Sequence, residues 1–168
     1  PASHLYSIFR MDKVEILILR NLLYNEEYLR KVIPFIKADY YEDSNQRIVF
    51  EEIDKFVQEY NQPATKEVLC IEVEKRQDIN DTTFSEITKL ISYLEDVPTD
   101  YEWLCDTTEK WCRDRAIYLA LMESIALADG KDKDKDRGAI PSILSNALAV
   151  SFDTNIGHDY LIDYEQRY

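Results

Sequence analysis

Three cysteines (Cys70, Cys105, Cys112), two histidines (His4, His158) and three glycines (130, 138, 157) are most of what this 168-residue chain offers to site chemistry. Cys105 and Cys112 stand seven apart and share one face of a helix, so with His158 they could supply three zinc ligands. That spacing resembles no closed Cys/His site, and small, soft side chains packed in a core fit it better. A Ser/Cys–His nucleophile pair would need His158 to fold back onto a thiol, and nothing in the pattern directs it there. Glycines this few and this placed cannot build G-x-x-x-x-G-K-[ST] or G-x-G-x-x-G, so no nucleotide site of those kinds is encoded. A calcium loop starting at Asp132 wants Gly at its sixth position and Glu at its twelfth, where Arg137 and Ile143 stand instead. Acid pairs such as Glu51-Glu52 read as solvated faces of an acidic helical surface. Trp103 and Trp111 could stack a nucleobase, but Asp100, Glu102, Asp106, Glu109 and Asp114 surround them, and Lys110 and Arg113 are the nearest cations. Core or interface packing is the better reading. The expected inventory is therefore no catalytic residue, no cofactor site and no metal site.

Composition narrows the class further. Lys and Arg total 20 against 33 Asp and Glu, a formal charge of −13, which argues against coating duplex DNA, because phosphate binding needs clustered cations. With 45% apolar residues and only three Gly and five Pro, neither disorder nor a turn-rich β-sandwich fits. No apolar run approaches the ~20 residues that span a bilayer, and the first residues lack a signal-peptide core, so no membrane association is expected. An odd, sparse set of cysteines suits free thiols in a reducing compartment, and the expected location is the cytoplasm.

The hydrophobic period is helical throughout, and the expected fold class is all-α. Val14, Leu17, Ile18 and Leu22 predict a first helix from about Asp12 to Asn25, and Asn25 followed by Glu26-Glu27 predicts a capped second helix to Pro34. Ala38–Asp43 reads as a polar–aromatic connection. Ser44 is the expected cap of a helix carrying Ile48, Val49, Ile53, Phe56, Val57 and Tyr60, stopped by Asn61-Gln62-Pro63. Thr65 starts another, Asp81 or Thr82 caps the next, and Val97-Pro98-Thr99-Asp100 breaks the chain again. From Tyr101 to Asp129 nothing interrupts the pattern; Leu104, Trp111, Tyr118, Met122 and Ile125 make an apolar stripe along a long helix that Gly130 ends. The Lys131–Arg137 stretch reads as a solvated loop, and a last helix after Pro141 (Ile143, Leu144, Ala147, Leu148) completes a helical hairpin.

Beyond a linker-like stretch, Tyr160, Tyr164 and Tyr168 fall at i, i+4 and i+8 with Leu161 alongside, an aromatic stripe on a short helix that would dock onto its own core or onto another subunit. Met11-Asp12-Lys13 reads like a translation start. The expected organisation is therefore an added or disordered leader at 1–10, a helical domain at 11–151, and at 152–168 a linker with its helix, leading toward a domain beyond Tyr168.

Several segments carry a family resemblance. Asp39-Tyr40-Tyr41, Gln46-Arg47-Ile48-Val49-Phe50, Ile53, Phe56 and Gln62-Pro63-Ala64-Thr65 resemble the N-terminal domain of DnaB-class replicative helicases. Val14-Glu15-Ile16, Gly138-Ala139-Ile140-Pro141, Ala147–Asp153 and Gly157-His158-Asp159 are similar to the T-even phage type of that class. The resemblance implies a DnaB N-terminal-like helical bundle with a C-terminal helical hairpin and a linker helix. It implies the non-catalytic collar of a hexameric helicase that unwinds DNA 5′ to 3′, with ATP and Mg held by a motor domain absent from this chain. Its implied partners are other copies of itself in a dimer or hexamer tier, primase, a helicase loader, and single-stranded DNA through the full-length protein. Tyr118, Leu121, Met122, Ile125, Leu144 and Leu148 become the candidate subunit contacts, and Tyr160, Leu161 and Tyr164 the candidate linker-helix docking residues. The alternative is a stand-alone acidic regulator that mimics DNA charge and occupies a basic partner; it expects a monomer whose binding weakens steeply with salt.

Overall fold

The computed structural model describes the backbone at residues 2–131 and 134–153, and side chains from Lys13 on. Every regular element among those residues is helical: α1 (Ala2–Tyr24), α2 (Glu26–Val32), α3 (Ser44–Tyr60), α4 (Lys66–Glu74), α5 (Asp81–Ser92), α6 (Tyr101–Ala128) and α7 (Ile140–Leu148), with three single 3-10 turns between them. The all-α expectation holds. The chain divides into two compact units, Pro1–Tyr101 and Glu102–Tyr168. The sequence reading had carried one helical domain across that boundary.

In the first unit α2, α3, α4 and α5 each start where a side chain can satisfy the backbone N–H groups that a first turn leaves unpaired. Asn25 Oδ1 accepts from Tyr28 N, Thr65 Oγ1 from Val68 N, and both caps were legible. At two other starts the cap lies before its expected position. Asp43, not Ser44, accepts from Asn45 and Gln46 N, and Asn80, not Asp81 or Thr82, accepts from Thr83 N at 2.8 Å. In both cases the capping residue has extended backbone, whereas its neighbour already lies inside the helix. At the end of α3 Asn61 turns left-handed (φ 52°), a conformation that Asn tolerates better than most residues. Arg30 then fixes it with bonds to Asn61 Oδ1 (2.9 Å) and O (3.0 Å). Helix α1 starts at Ala2, ten residues before its expected start near Asp12, and no Gly or Pro between Ala2 and Asp12 would break it.

The core of this unit follows the period that predicted it. Ile18 and Leu22 of α1, Val49 and Ile53 of α3, Leu69 and Val73 of α4, and Ile87 and Ile91 of α5 are all buried, whereas Val14 and Leu17 are half-buried and Leu19, outside the expected set, is fully buried. The stretch expected as a polar–aromatic connection contributes as well. Tyr40 and Tyr41 are buried in and after a 3-10 turn (Ala38–Tyr40), and the Tyr41 ring lies 5.4 Å from that of Phe50. Large amphipathic rings find more favourable burial here than exposure, which a polarity count over six residues conceals.

One ion cluster ties α3 to the chain just past α4. Arg76, just past α4, donates to Glu52 (2.9 Å), Glu51 (3.1 Å) and, through two nitrogens, to Asp78 (2.7 and 3.0 Å). Glu51-Glu52, expected as a solvated face, is therefore not one; the Glu52 carboxylate is almost wholly buried, and Arg76 supplies the charge that its burial requires. The guanidinium holds the exposed Asp78 carboxyl below the usual carboxylate range, chiefly through their hydrogen bonds.

Position within α4 sets a measurable contrast. Leu69→Ala empties a fully buried site and should destabilise by about 2–5 kcal/mol, whereas Ile71→Ala, on the exposed side of the same helix, should cost less than about 1 kcal/mol. Urea unfolding followed by circular dichroism measures both; equal losses would mean that α4 does not pack as described.

Candidate functional site

The second unit is a hairpin. Gly130 adopts φ 72° and ends α6 with the paired bonds of a Schellman motif: Lys131 N donates to Ala126 O (3.0 Å) and Gly130 N to Leu127 O (3.1 Å). Arg137 donates to Ala128 O (2.9 Å), placing a cation on one of the last unpaired carbonyls of α6. Pro141 sits in the first turn of α7, where its missing N–H costs nothing. The chain then returns antiparallel along α6. Arg113 Nε donates to Val150 O (2.9 Å), and Glu109 Oε2 accepts from Phe152 N (3.0 Å), more than four turns back from the hairpin tip. Glu109 and Arg113 are themselves ion-paired at 3.0 Å across one helical turn. That clasp went unread in the sequence; the Glu-x-x-x-Arg spacing is visible there, but its backbone partners lie 37 and 43 residues downstream.

The predicted stripe of α6 splits. Leu104 is buried and Trp111 half-buried, whereas Tyr118, Leu121, Met122 and Ile125 are each 47–55% exposed. Their i, i+3, i+4, i+7 spacing places them on one face. Buried residues of the same turns, Ala120, Ser124 and Leu127, occupy another side of the helix. On α7 Leu148 is 64% exposed, Leu144 half-buried and Ala147 buried. Five of the six candidate subunit contacts thus present apolar surface to solvent in a single chain. Tyr160, Leu161 and Tyr164, the candidate docking residues, lie outside the described residues.

One residue of this face escaped the sequence reading. Arg115 is buried, and its guanidinium carbon lies 4.9 Å from the centre of the Tyr118 ring. A cation over a ring face holds that ring by cation–π attraction, so Tyr118 is exposed without being free to reorient.

The thiols sit apart from this face. Cys105 and Cys112 are both buried and free, and among the described residues no three His, Cys, Asp or Glu are grouped to hold a metal. Burial, with a smaller contribution from the Glu109 charge, pushes the Cys112 thiol up to about 12. Burial also raises that of half-buried Cys70. No described helix is long and apolar enough to cross a membrane.

The described residues of the second unit thus form an α6–α7 hairpin with an exposed apolar face. No family model matches the chain. It is, however, 33% identical over 160 residues, 90% of its own length, to a DnaB-like replicative helicase of Enterobacteria phage T4. The chain is thus a relative of the DnaB-like replicative helicases, as the resemblance in its sequence implied, and it spans about a third (34%) of the relative that it matches.

The Cys112 shift carries a sign. A thiol that ionises near 9 in the unfolded chain and near 12 in the folded one binds more proton when folded, so its contribution to stability is complete below about pH 9 and is lost as pH rises toward 12. Unfolding free energy measured at pH 7 and pH 10 should fall further for the unaltered chain than for Cys112→Ala. Identical pH dependence in the two proteins would show that Cys112 is not buried in the folded chain.

Proposed function

We propose that this chain is the N-terminal collar of a phage replicative helicase: it assembles subunits and receives partners, while a motor elsewhere in the parent protein unwinds DNA 5′ to 3′. The observation that carries the reading is the match along nine-tenths of this chain to a third of a DnaB-like replicative helicase, a share suited to one domain of a larger protein. Physical chemistry points the same way. The parent's ATP and magnesium belong to its motor, since this chain's three glycines can form neither of the phosphate-binding loops sought above.

Assembly proceeds through the hairpin. Tyr118, Leu121, Met122 and Ile125 of α6, with Leu144 and Leu148 of α7, form a self-complementary apolar face that a second copy covers, building the dimers of a hexameric tier. Arg115 pre-orders Tyr118 for that contact and lowers the entropy lost on association. Tyr160, Leu161 and Tyr164 serve as a linker helix that docks on a neighbouring subunit's motor. Primase and a helicase loader are the protein partners of the tier, and single-stranded DNA is engaged through the full-length protein. The protein works in the cytoplasm of the host cell.

The acidic-regulator alternative rests on the charge of −13 alone and leaves the exposed face of the hairpin unused. Sedimentation equilibrium separates the two. The unaltered chain should self-associate, and Met122→Asp combined with Ile125→Asp should weaken that association by at least about a hundredfold while the helical signal is retained, as expected for charges buried at an apolar contact. A folded double variant that associates as before removes the hairpin from the interface. A strictly monomeric parent chain at high concentration favours the acidic regulator.

A further inference from the structure

The first unit has an exposed apolar patch that the helicase reading does not use. Tyr93, at the end of α5, is 66% exposed, Val97 46% and Tyr24, the last residue of α1, 41%. Tyr93 and Val97 lie on the segment that Tyr24 touches. The Tyr24 hydroxyl donates to Leu94 O at 2.9 Å, which holds its ring against the segment carrying the other two side chains. Leu94 itself is fully buried and anchors that segment, and Val97 N closes a tight turn onto Glu95 O at 3.1 Å. Together the three side chains expose on the order of 300 Å² of mostly apolar surface, the size at which a patch on a monomer is usually functional.

The surrounding charge is one-sided. Glu95, Asp96 and Asp100 flank the patch on the same segment and are exposed. Lys66 donates to Ser92 O at 3.1 Å and lies 3.9 Å from Glu95, and Lys31 stands 5.9 Å from the centre of the Tyr101 ring, so three exposed acids meet two cations that already have partners. Asp96 makes no ion pair among the described residues. A second copy of a chain carrying −13 would bring like charge to this rim, and a nucleic acid would bring phosphates. What fits is an apolar anchor with cations on either side of it.

We propose that Tyr24, Tyr93 and Val97, rimmed by Glu95, Asp96 and Asp100, form a docking site for a basic amphipathic segment of another protein. The apolar side chains of that segment cover the patch, and its lysines or arginines face the acidic rim. This surface belongs to the first unit alone and does not depend on pairing of the hairpin.

The test is a titration of the isotope-labelled chain with a short amphipathic peptide of Leu and Lys, followed by ¹⁵N–¹H correlation spectra. Shifts should concentrate at residue 24 and residues 92–100. Tyr93→Ser combined with Val97→Ser should weaken binding by at least about tenfold, because both side chains are anchors and neither supports the core. Glu67→Gln with Glu74→Gln, which removes two charges from α4 instead, should leave affinity within about twofold. The Met122→Asp, Ile125→Asp chain should bind as well as the unaltered one, which separates this site from the hairpin reading. Shifts spread over the acidic surface, shifts centred on α6 and α7, or undiminished binding by the Tyr93/Val97 variant would overturn the proposal.

Discussion

Helix α6 carries more apolar surface than one hairpin can cover, and much of the rest follows from that excess. Its stripe repeats every seven residues from Leu104 through Trp111 and Tyr118 to Ile125, but a straight helix drifts about 20° per heptad away from such a repeat. A line that begins in the interior at Leu104 therefore leaves it within a few turns. The buried side passes to Ala120, Ser124 and Leu127, small enough at two of the three positions for close approach, and the larger side chains are left facing water. Small residues inward and Tyr, Leu, Met and Ile outward is the reverse of what a self-sufficient helix would choose. The arrangement is economical only when something else supplies the missing cover.

In the first unit the controlling interaction is electrostatic. The Glu52 side chain is almost wholly buried, and a buried carboxylate without a counter-charge would cost several kcal/mol. Arg76 meets it, and is itself oriented by Glu51 and by the two-pronged contact with Asp78. One guanidinium thus fixes where α4 ends relative to α3, and so directs the approach of the chain to α5. None of this was legible in the sequence. A Glu-Glu pair and an Arg 24 residues later carry no periodic signal, because the contact depends on the tertiary path between them.

What was legible has a common physical basis: short-range stereochemistry. Asn25, Thr65 and Gly130 were read correctly because a cap or a left-handed stop is set within four residues of itself. Asp43 and Asn80 were displaced, since several neighbouring polar residues can cap in principle and only backbone conformation chooses among them. The burial of Tyr40 and Tyr41 was missed because acids beside them gave the stretch a polar average. Of the candidate site, the sequence showed that α6 and α7 carry apolar faces. It could not show which side of each faces out, nor that Arg115 lies over Tyr118.

The clasp between Glu109, Arg113 and the chain just after α7 has a mechanical consequence. The backbone at Val150 and Phe152 is held to the middle of the long helix, not to its tip. A pull on residues past Asp153 would be taken up there as shear along the helix axis, where two bonds share the load instead of breaking in turn. The charged turn at the far end, with its single left-handed glycine, would carry almost none of it. A hairpin tethered in this way resists being peeled open from its tip.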